Sequence, residues 1–252
     1  MTASDRLVQR LYGGPRYNGT LLFYDDVRRH LTPASRVLNL GAGPATGSPI
    51  RTLQGEVAEV VGADIDPCVL SNPEMDRAVL IEQDGKLPLE DEYFDLIVSD
   101  YVFEHVEDPH QFLGEAARVL KPGGSLMFRT PNAIHYVALI SAVTPHRVHG
   151  MIAHRARANP DDAHEPYPTR YRMNGVSRLR AQGRRVGLGR LEVRYVEMEP
   201  SYLRFNTAAF LVGAAYERLV NSTPLLAPLR ANLFGRFVKT EALQAGASRA
   251  NV

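Results

Sequence analysis

The stretch Arg36-Val37-Leu38-Asn39-Leu40-Gly41-Ala42-Gly43-Pro44-Ala45-Thr46-Gly47 limits what this chain can fold into more than any other. An apolar run of strand length breaks into a loop that holds three glycines. Ser48-Pro49 follows, a helix cap with proline at the first helical position, so the sequence predicts a helix starting there. Strand, glycine loop and helix start together cradle a nucleotide-like ligand. Glycine admits close backbone approach and positive φ, and a helix N-terminus offers free N–H groups. Taken alone, the stretch reads equally as a buried strand that ends in a turn.

A second strand narrows the choice. Glu59-Val60-Val61-Gly62-Ala63-Asp64 ends in an acid 23 residues after Gly41. That is close to the ~20-residue spacing at which an acid meets a ribose hydroxyl pair in nucleotide-binding βαβ units. A carboxylate suits the task because it accepts two hydroxyl hydrogen bonds at once.

Further strands are predicted over 78–81, 94–99 and 125–130, with an amphipathic helix over 109–120 stopped by Lys121-Pro122-Gly123-Gly124. After residue 168 come a helix over 176–181 with Gly183 behind it, a strand over 191–196, a helix over 207–220 and a strand over 234–239. Strands that alternate with helices imply a parallel sheet covered on both faces, with ligands at the carboxyl ends of the strands. Gly41, Asp64, Asp84 and Asp100-Tyr101 all fall at such ends.

Residues 1–34 read as an N-terminal helical segment, with Leu21, Leu22, Val27 and Leu31 at helical intervals and Pro33 closing the pattern. The turn Tyr12-Gly13-Gly14-Pro15-Arg16-Tyr17 reads as a surface wrap, with closure over a ligand as the alternative. The main domain is expected over 35–243, with an insert over 133–168 lying as a lid across the strand ends. That insert opens with an apolar helix over 134–143 and continues into a stretch rich in His and Arg. A disordered tail is expected over 244–252.

Composition excludes several classes. With 44% apolar residues among 252, the chain has enough to build a core and too many for a disordered protein. Cys68 is the single cysteine, which rules out an internal disulfide and a Cys-based zinc site and suggests a reducing, cytoplasmic setting. The N-terminus has no signal-peptide pattern, and no stretch reaches the ~18 apolar residues of a membrane span. The net charge of +1 hides an asymmetry. Residues 1–132 carry 12 Lys+Arg against 20 Asp+Glu, and residues 133–252 carry 17 against 8. An acidic half suits a cationic ligand, and a basic half suits an anionic one.

The sequence resembles the class I S-adenosylmethionine-dependent methyltransferases, in particular their small-molecule (type 11, ubiquinone-biosynthesis-like) group. The resemblance rests on Val37-Leu38-Asn39-Leu40-Gly41-Ala42-Gly43, Val61-Gly62-Ala63-Asp64-Ile65, Asp84-Gly85 and Leu87-Pro88. It continues through Tyr93-Phe94-Asp95-Leu96-Ile97-Val98, Glu104-His105-Val106, Arg118-Val119-Leu120-Lys121-Pro122-Gly123-Gly124 and Thr130-Pro131-Asn132. The family fold is α/β: a Rossmann-like, doubly wound, mostly parallel seven-stranded sheet. The resemblance implies S-adenosylmethionine as cofactor. Gly41, Ala42 and Gly43 would lie against its methionine part, with Asn39 hydrogen-bonding nearby. Asp64 would hold the ribose hydroxyls, Ile65 would pack on adenine, and Asp84 would accept from the adenine amino group beside Gly85. Asp100 and Tyr101 would border the sulfonium. The chain departs from the family pattern at Asn39, where an acid is usual, and at Ala45, where a third glycine is usual.

Methyl transfer from a sulfonium has a neutral leaving group and needs no acid. In-line positioning supplies about 7–11 kcal/mol, and a general base adds roughly 10²–10⁴-fold. His105 and His135, after the fourth and fifth strands, are the candidate bases. No metal is expected; His146 and His149 with Asp161 or His164 form the one weak alternative. Arg147, Arg155, Arg157, Arg170 and Arg172 are the residues available to grip a carboxylate or phosphate. The expected partner is a small-molecule acceptor, anionic or anion-bearing and attacked at oxygen, with no nucleic acid. N- or C-methylation and a non-catalytic binding domain are the alternatives.

Overall fold

The computed structural model describes residues 3–136 and 167–240. Its centre is a seven-stranded sheet of order β3-β2-β1-β4-β5-β7-β6. The strands are β1 Arg36–Leu40, β2 Glu59–Asp64, β3 Arg77–Leu80, β4 Phe94–Asp100, β5 Leu120–Pro131, β6 Leu188–Val196 and β7 Asn232–Lys239. Strands β1 to β5 pair in parallel, and β7 runs antiparallel between β5 and β6. The doubly wound, mostly parallel sheet expected from the sequence is present, and each predicted strand has its counterpart.

Alternation along the strands divides the core. Leu38, Leu40, Val61, Ile97, Leu126 and Phe128 point to one face, which α3 (Pro109–Val119) and α4 (Val176–Arg185) cover. Val37, Val60, Leu96, Val98 and Met127 point to the other, where Phe23, Tyr24 and Val27 of α2 (Gly19–Arg28) meet them. A smaller cluster joins Tyr12 of α1 (Ala3–Tyr12) to Phe210 and Ala214 of α5 (Thr207–Asn221). The helix starts follow local chemistry. Asp108 caps α3 by accepting from the His110 and Gln111 amides, with Pro109 at the first turn, and Asn18 and Asn206 cap α2 and α5.

The structure corrects three readings. No helix begins at Ser48; the connection between β1 and β2 is a series of turns. Ser48 O accepts from the Arg51 and Thr52 amides, which closes one turn. Arg28 of α2 then takes the Ile50 and Thr52 carbonyls, the acceptors that a lengthening helix needs. Gly183 does not follow α4 but lies inside it, where Phe237 packs so close that a side chain would strike its ring. The turn over 12–17 is a surface wrap only in part: Gly13, Pro15 and Arg16 are exposed, but Tyr12 is buried and its hydroxyl donates to Glu217 at 3.1 Å. The expected helix over 134–143 from residue 137 on, the His/Arg-rich stretch up to residue 166 and the tail over 244–252 lie outside the described residues.

Candidate functional site

The carboxyl ends of β1, β2 and β4 converge as expected. Gly41 and Gly43 take φ of +85° and +55°, values that favour glycine. At Gly41 a side chain would meet Val102, whereas at Gly43 no protein atom lies within 4 Å of where one would start. The loop is fastened from the neighbouring strand end. Gly43 N donates to Asp64 Oδ2 at 2.8 Å, and Asp66 N donates to Asp64 Oδ1 at 2.9 Å. Asn72 Nδ2 donates to Gly43 O at 3.0 Å, and Gly47 N donates to Glu74 Oε1 at 2.6 Å. Sequence reasoning missed Asn72 and Glu74, which replace with side chains the support that a helix would have given.

Beside Asp64, Ile65 is 58% exposed, an apolar shelf next to a carboxylate. Asn39 is half-buried within β1. Asp84 is exposed, its carboxylate accepts from Lys86 N, and Gln111 Nε2 holds its carbonyl next to Gly85, which takes φ of +69°. Tyr167 OH donates to Asp66 Oδ2 at 3.3 Å, so the returning chain lies along this groove. Burial, followed by the charges of Asp66 and Asp64, raises the Tyr167 pKa.

A cavity of about 790 Å³ opens on the other side of the β4 end. It is lined by α1 and the turn after it, the ends of β4 and β5, and the segment 197–204 after β6. Its size falls within the range of small-molecule sites. Tyr101 and Tyr171 both line it and both take positive φ, +59° and +52°. For non-glycine residues this strain costs on the order of 1–3 kcal/mol each and collects at functional sites.

Asp100 does not stand free at the strand end. Asp100 and Arg129 are neighbours in the β4–β5 register. Arg129 grips the Asp100 carboxylate through Nε and through Nη2, the latter at 2.8 Å. Arg51 Nη1 stands 3.5 Å from the same carboxylate. Two guanidiniums therefore share one carboxylate, and both line the cavity. The Arg129 guanidinium also lies over the Tyr101 ring at 4.7 Å, and Tyr101 OH donates to Asn232.

Of the two candidate bases, only His135 lines the cavity. It is buried, with Nε2 3.4 Å from Glu197 Oε2 and its ring against Tyr136, Tyr202 and Tyr216. Glu197 is fixed in turn by accepting from Ala231 N. His105 lies outside the cavity lining, with Nδ1 3.3 Å from Pro168 O. Arg170 pairs with Glu107, and Arg172 donates to the Glu107 carbonyl, so neither faces the cavity. Arg147, Arg155, Arg157, His146, His149, Asp161 and His164 lie outside the described residues. Among the described residues no group of three or more His, Cys, Asp or Glu is placed to hold a metal.

The family model described as "Methyltransferase domain" matches residues 38–128. A malonyl-[acyl-carrier protein] O-methyltransferase of Methylococcus capsulatus is 38% identical over 109 residues, 40% of each chain. A demethylmenaquinone methyltransferase of Tropheryma whipplei is 37% identical over 103 residues, 38% of this chain and 42% of that one. The match thus spans about two fifths of the length of these relatives. The methyltransferase in a complex with the Trm112 activator of Haloferax volcanii superposes with a TM-score of 0.56 at 19% identity, over 94% of this chain and 96% of that one. That likeness extends the fold to the strands beyond residue 128. Residues 38–128 are a methyltransferase domain of the class I, S-adenosylmethionine-dependent kind.

Proposed function

We propose that this chain moves a methyl group from S-adenosylmethionine to a small-molecule acceptor held in the cavity, at an oxygen nucleophile on a molecule that carries an anionic group. The Arg51–Asp100–Arg129 cluster carries this reading. One carboxylate between two guanidiniums leaves a local positive charge at this part of the cavity wall. Glu199, paired with Arg204, and Glu197, facing His135, also line the cavity. Tyr101-Val102 joins the wall to Gly41. Guanidinium forks match carboxylate and phosphate geometry.

The groove fits the cofactor. The open space at Gly43 and the exposed Ile65 beside Asp64 are what a flat, hydroxyl-bearing ligand requires. Gly41, Ala42 and Gly43 hold the methionine part, with Asn39 at their base. Asp64 holds the ribose hydroxyls, Ile65 the adenine face, and Asp84 with Gly85 the adenine edge. Tyr101 and Asp100 border the reacting end. When bound, S-adenosylmethionine supplies a methyl group on a positively charged sulfur that departs neutral.

The chain's own residues place the acceptor. Arg51 and Arg129 orient its anionic group, and Tyr101, Tyr171 and Tyr202 on the cavity wall limit its pose. Held beside Glu197, the His135 ring takes the acceptor's proton, and Glu197 steadies the imidazolium that forms. His105, outside the cavity lining, is left with a structural role. Cys68 as the single cysteine supports a cytoplasmic setting, and the cavity's size supports a small acceptor rather than nucleic acid.

A second reading is a cofactor-binding domain without catalysis, which the groove at Gly43, Asp64 and Ile65 would serve equally. A radiolabelled methyl-transfer screen over carboxylates, phenols, sugars, quinols and amines decides, run beside calorimetric titration with the cofactor. Transfer to an anionic oxygen acceptor supports the first reading. Transfer only to amines overturns the choice of oxygen. Cofactor binding without transfer to any class selects the second reading.

A further inference from the structure

We propose that the outer face of α5 and the turn after it docks on a membrane surface bearing anionic phospholipid. Eleven large apolar side chains are exposed among the described residues, and six of them lie between Phe205 and Leu229. Exposed apolar residues scattered singly are ordinary, but a cluster on one segment marks a contact surface.

The cluster has a geometry. The inner side of α5 is fully used by Phe210, Gly213, Ala214, Glu217 and Val220. Gly213 sits so close under Pro200 and Leu203 that a side chain would stand 2.7–2.8 Å from them. The outer side carries Ala208, Leu211, Val212, Ala215 and Leu219, spaced i, i+3, i+4, i+7 and i+11, which is one continuous stripe. Val212 is 71% exposed and Leu219 59%. The 3₁₀ turn Pro224–Leu229 extends the stripe with Leu225, 88% exposed, and Tyr216 OH fastens it to α5 by donating to Leu229 O at 2.6 Å.

Charge identifies the occupant. Between Pro200 and Ala231 the chain has one carboxylate, Glu217, and it is buried beneath α5. Glu197 and Glu199, just before this segment, also have largely covered side chains. Arg204 and Arg218 are the more exposed members of their ion pairs, 42% and 49% against 14% and 4% for Glu199 and Glu217, and Arg218 also lies over the rings of Tyr12 and Tyr17. Arg6 and Arg10 are exposed on α1, which packs on α5 through Tyr12 and Phe210. An apolar stripe edged by cations, with its carboxylates turned inward, matches acyl chains beneath anionic headgroups. A second copy of the chain fits less well, because guanidiniums would face guanidiniums, and between Pro200 and Ala231 the one carboxylate, Glu217, is buried. The helix lies on the surface and does not cross it. Its 15 residues are about 22 Å long against a hydrocarbon core of ~30 Å, and no described helix is long and apolar enough to span. Tyr202 and Arg204, just before this face, line the cavity, so docking brings the cavity toward the lipid.

The test is co-sedimentation of the full chain with extruded vesicles of phosphatidylcholine alone and of equimolar phosphatidylcholine and phosphatidylglycerol. Binding to the mixed vesicles that weakens with added salt, with little binding to phosphatidylcholine alone, is expected. Val212→Asp and Leu219→Asp, both on exposed positions, should each lower partitioning by about tenfold or more while unfolding at the wild-type temperature. Arg218→Glu should lower binding to the mixed vesicles. Absence of binding to either vesicle overturns the proposal, as does equal binding to both. A dimer in light scattering that Leu219→Asp dissociates, without vesicle binding, assigns the face to a second copy instead. Since none of these readouts measures methyl transfer, the outcome is independent of the catalytic reading.

Discussion

Glu104 and Thr130 form a buried pair at the ends of β4 and β5: Thr130 Oγ1 donates to Glu104 Oε2 at 3.0 Å. Asn174 Nδ2 in turn donates to Thr130 Oγ1 at 2.7 Å. The backbone carbonyl of Glu104 accepts from the Arg170 and Tyr171 amides, so this knot fixes where the chain returns to the sheet and sets the strained Tyr171 at the cavity.

Burial pushes the Glu104 pKa from 4.5 up to about 7, and the hydrogen bonds it accepts offset only part of that. The folded state therefore holds a proton that the unfolded chain releases. Stability from this group is complete below about pH 4.5 and is lost as pH rises through about 7. The slope is at most about 1.4 kcal/mol per pH unit for one proton. Glu104→Gln should flatten this part of the stability profile. Urea unfolding of both proteins across that window checks it, and parallel profiles would refute the assignment.

Asp64→Ala should weaken cofactor binding more than His105→Ala. Each charged hydrogen bond lost is worth about 1.5–3 kcal/mol, and the substitution also frees the Gly43 loop. Equal calorimetric affinities for the two variants would remove Asp64 from the ribose role.

Gly43→Val and Gly41→Val should fail differently. At Gly43 the space is open and only the positive φ resists, at roughly 1–2 kcal/mol, so the variant folds but no longer binds the cofactor. At Gly41 the side chain meets Val102 within the protein, so stability itself falls. Thermal unfolding with and without cofactor separates the two. Normal cofactor stabilisation of Gly43→Val would show that the groove lies elsewhere.

The two cavity arginines should also part company. Arg51→Met should raise KM for the acceptor and leave kcat near wild type, because uniform binding is lost. Arg129→Met leaves the buried Asp100 with only the longer 3.5 Å contact to Arg51 and should lower stability, by less than the ~3–5 kcal/mol of a fully unpaired buried charge. His135→Ala should lower kcat by no more than about 10²–10⁴-fold. A kcat loss in Arg51→Met equal to that in His135→Ala would refute this division of labour.

The strands and their ligand-bearing ends were legible because each is a short apolar run closed by Gly or Asp, a pattern carried by neighbouring residues. Gly41, Gly43, Asp64 and Ile65 converge for that reason. What depended on distant partners was not legible. Arg129 reads as a stray charge in a strand until the β4–β5 register sets it beside Asp100. Glu197 gains a role only when the segment after β6 comes back to His135. Ser48-Pro49 carries a genuine helix-start signal, and it is overridden by the Arg28 side chain, which claims the carbonyls the helix needs. Tyr12 reads as a turn residue, and only its packing on Phe210 and its bond to Glu217 draw it inward.

Losing the helix after β1 changes what counts as the front of this protein. The sheet face that a crossover helix would shelter is roofed by Phe23, Tyr24 and Val27, from a helix that precedes the first strand. Two successive tasks of a nucleotide fold, roofing the sheet and bracing the glycine loop, have thus been given to different parts of the chain. A version trimmed to begin at β1 would keep every recognisable motif and yet leave one side of its sheet wet.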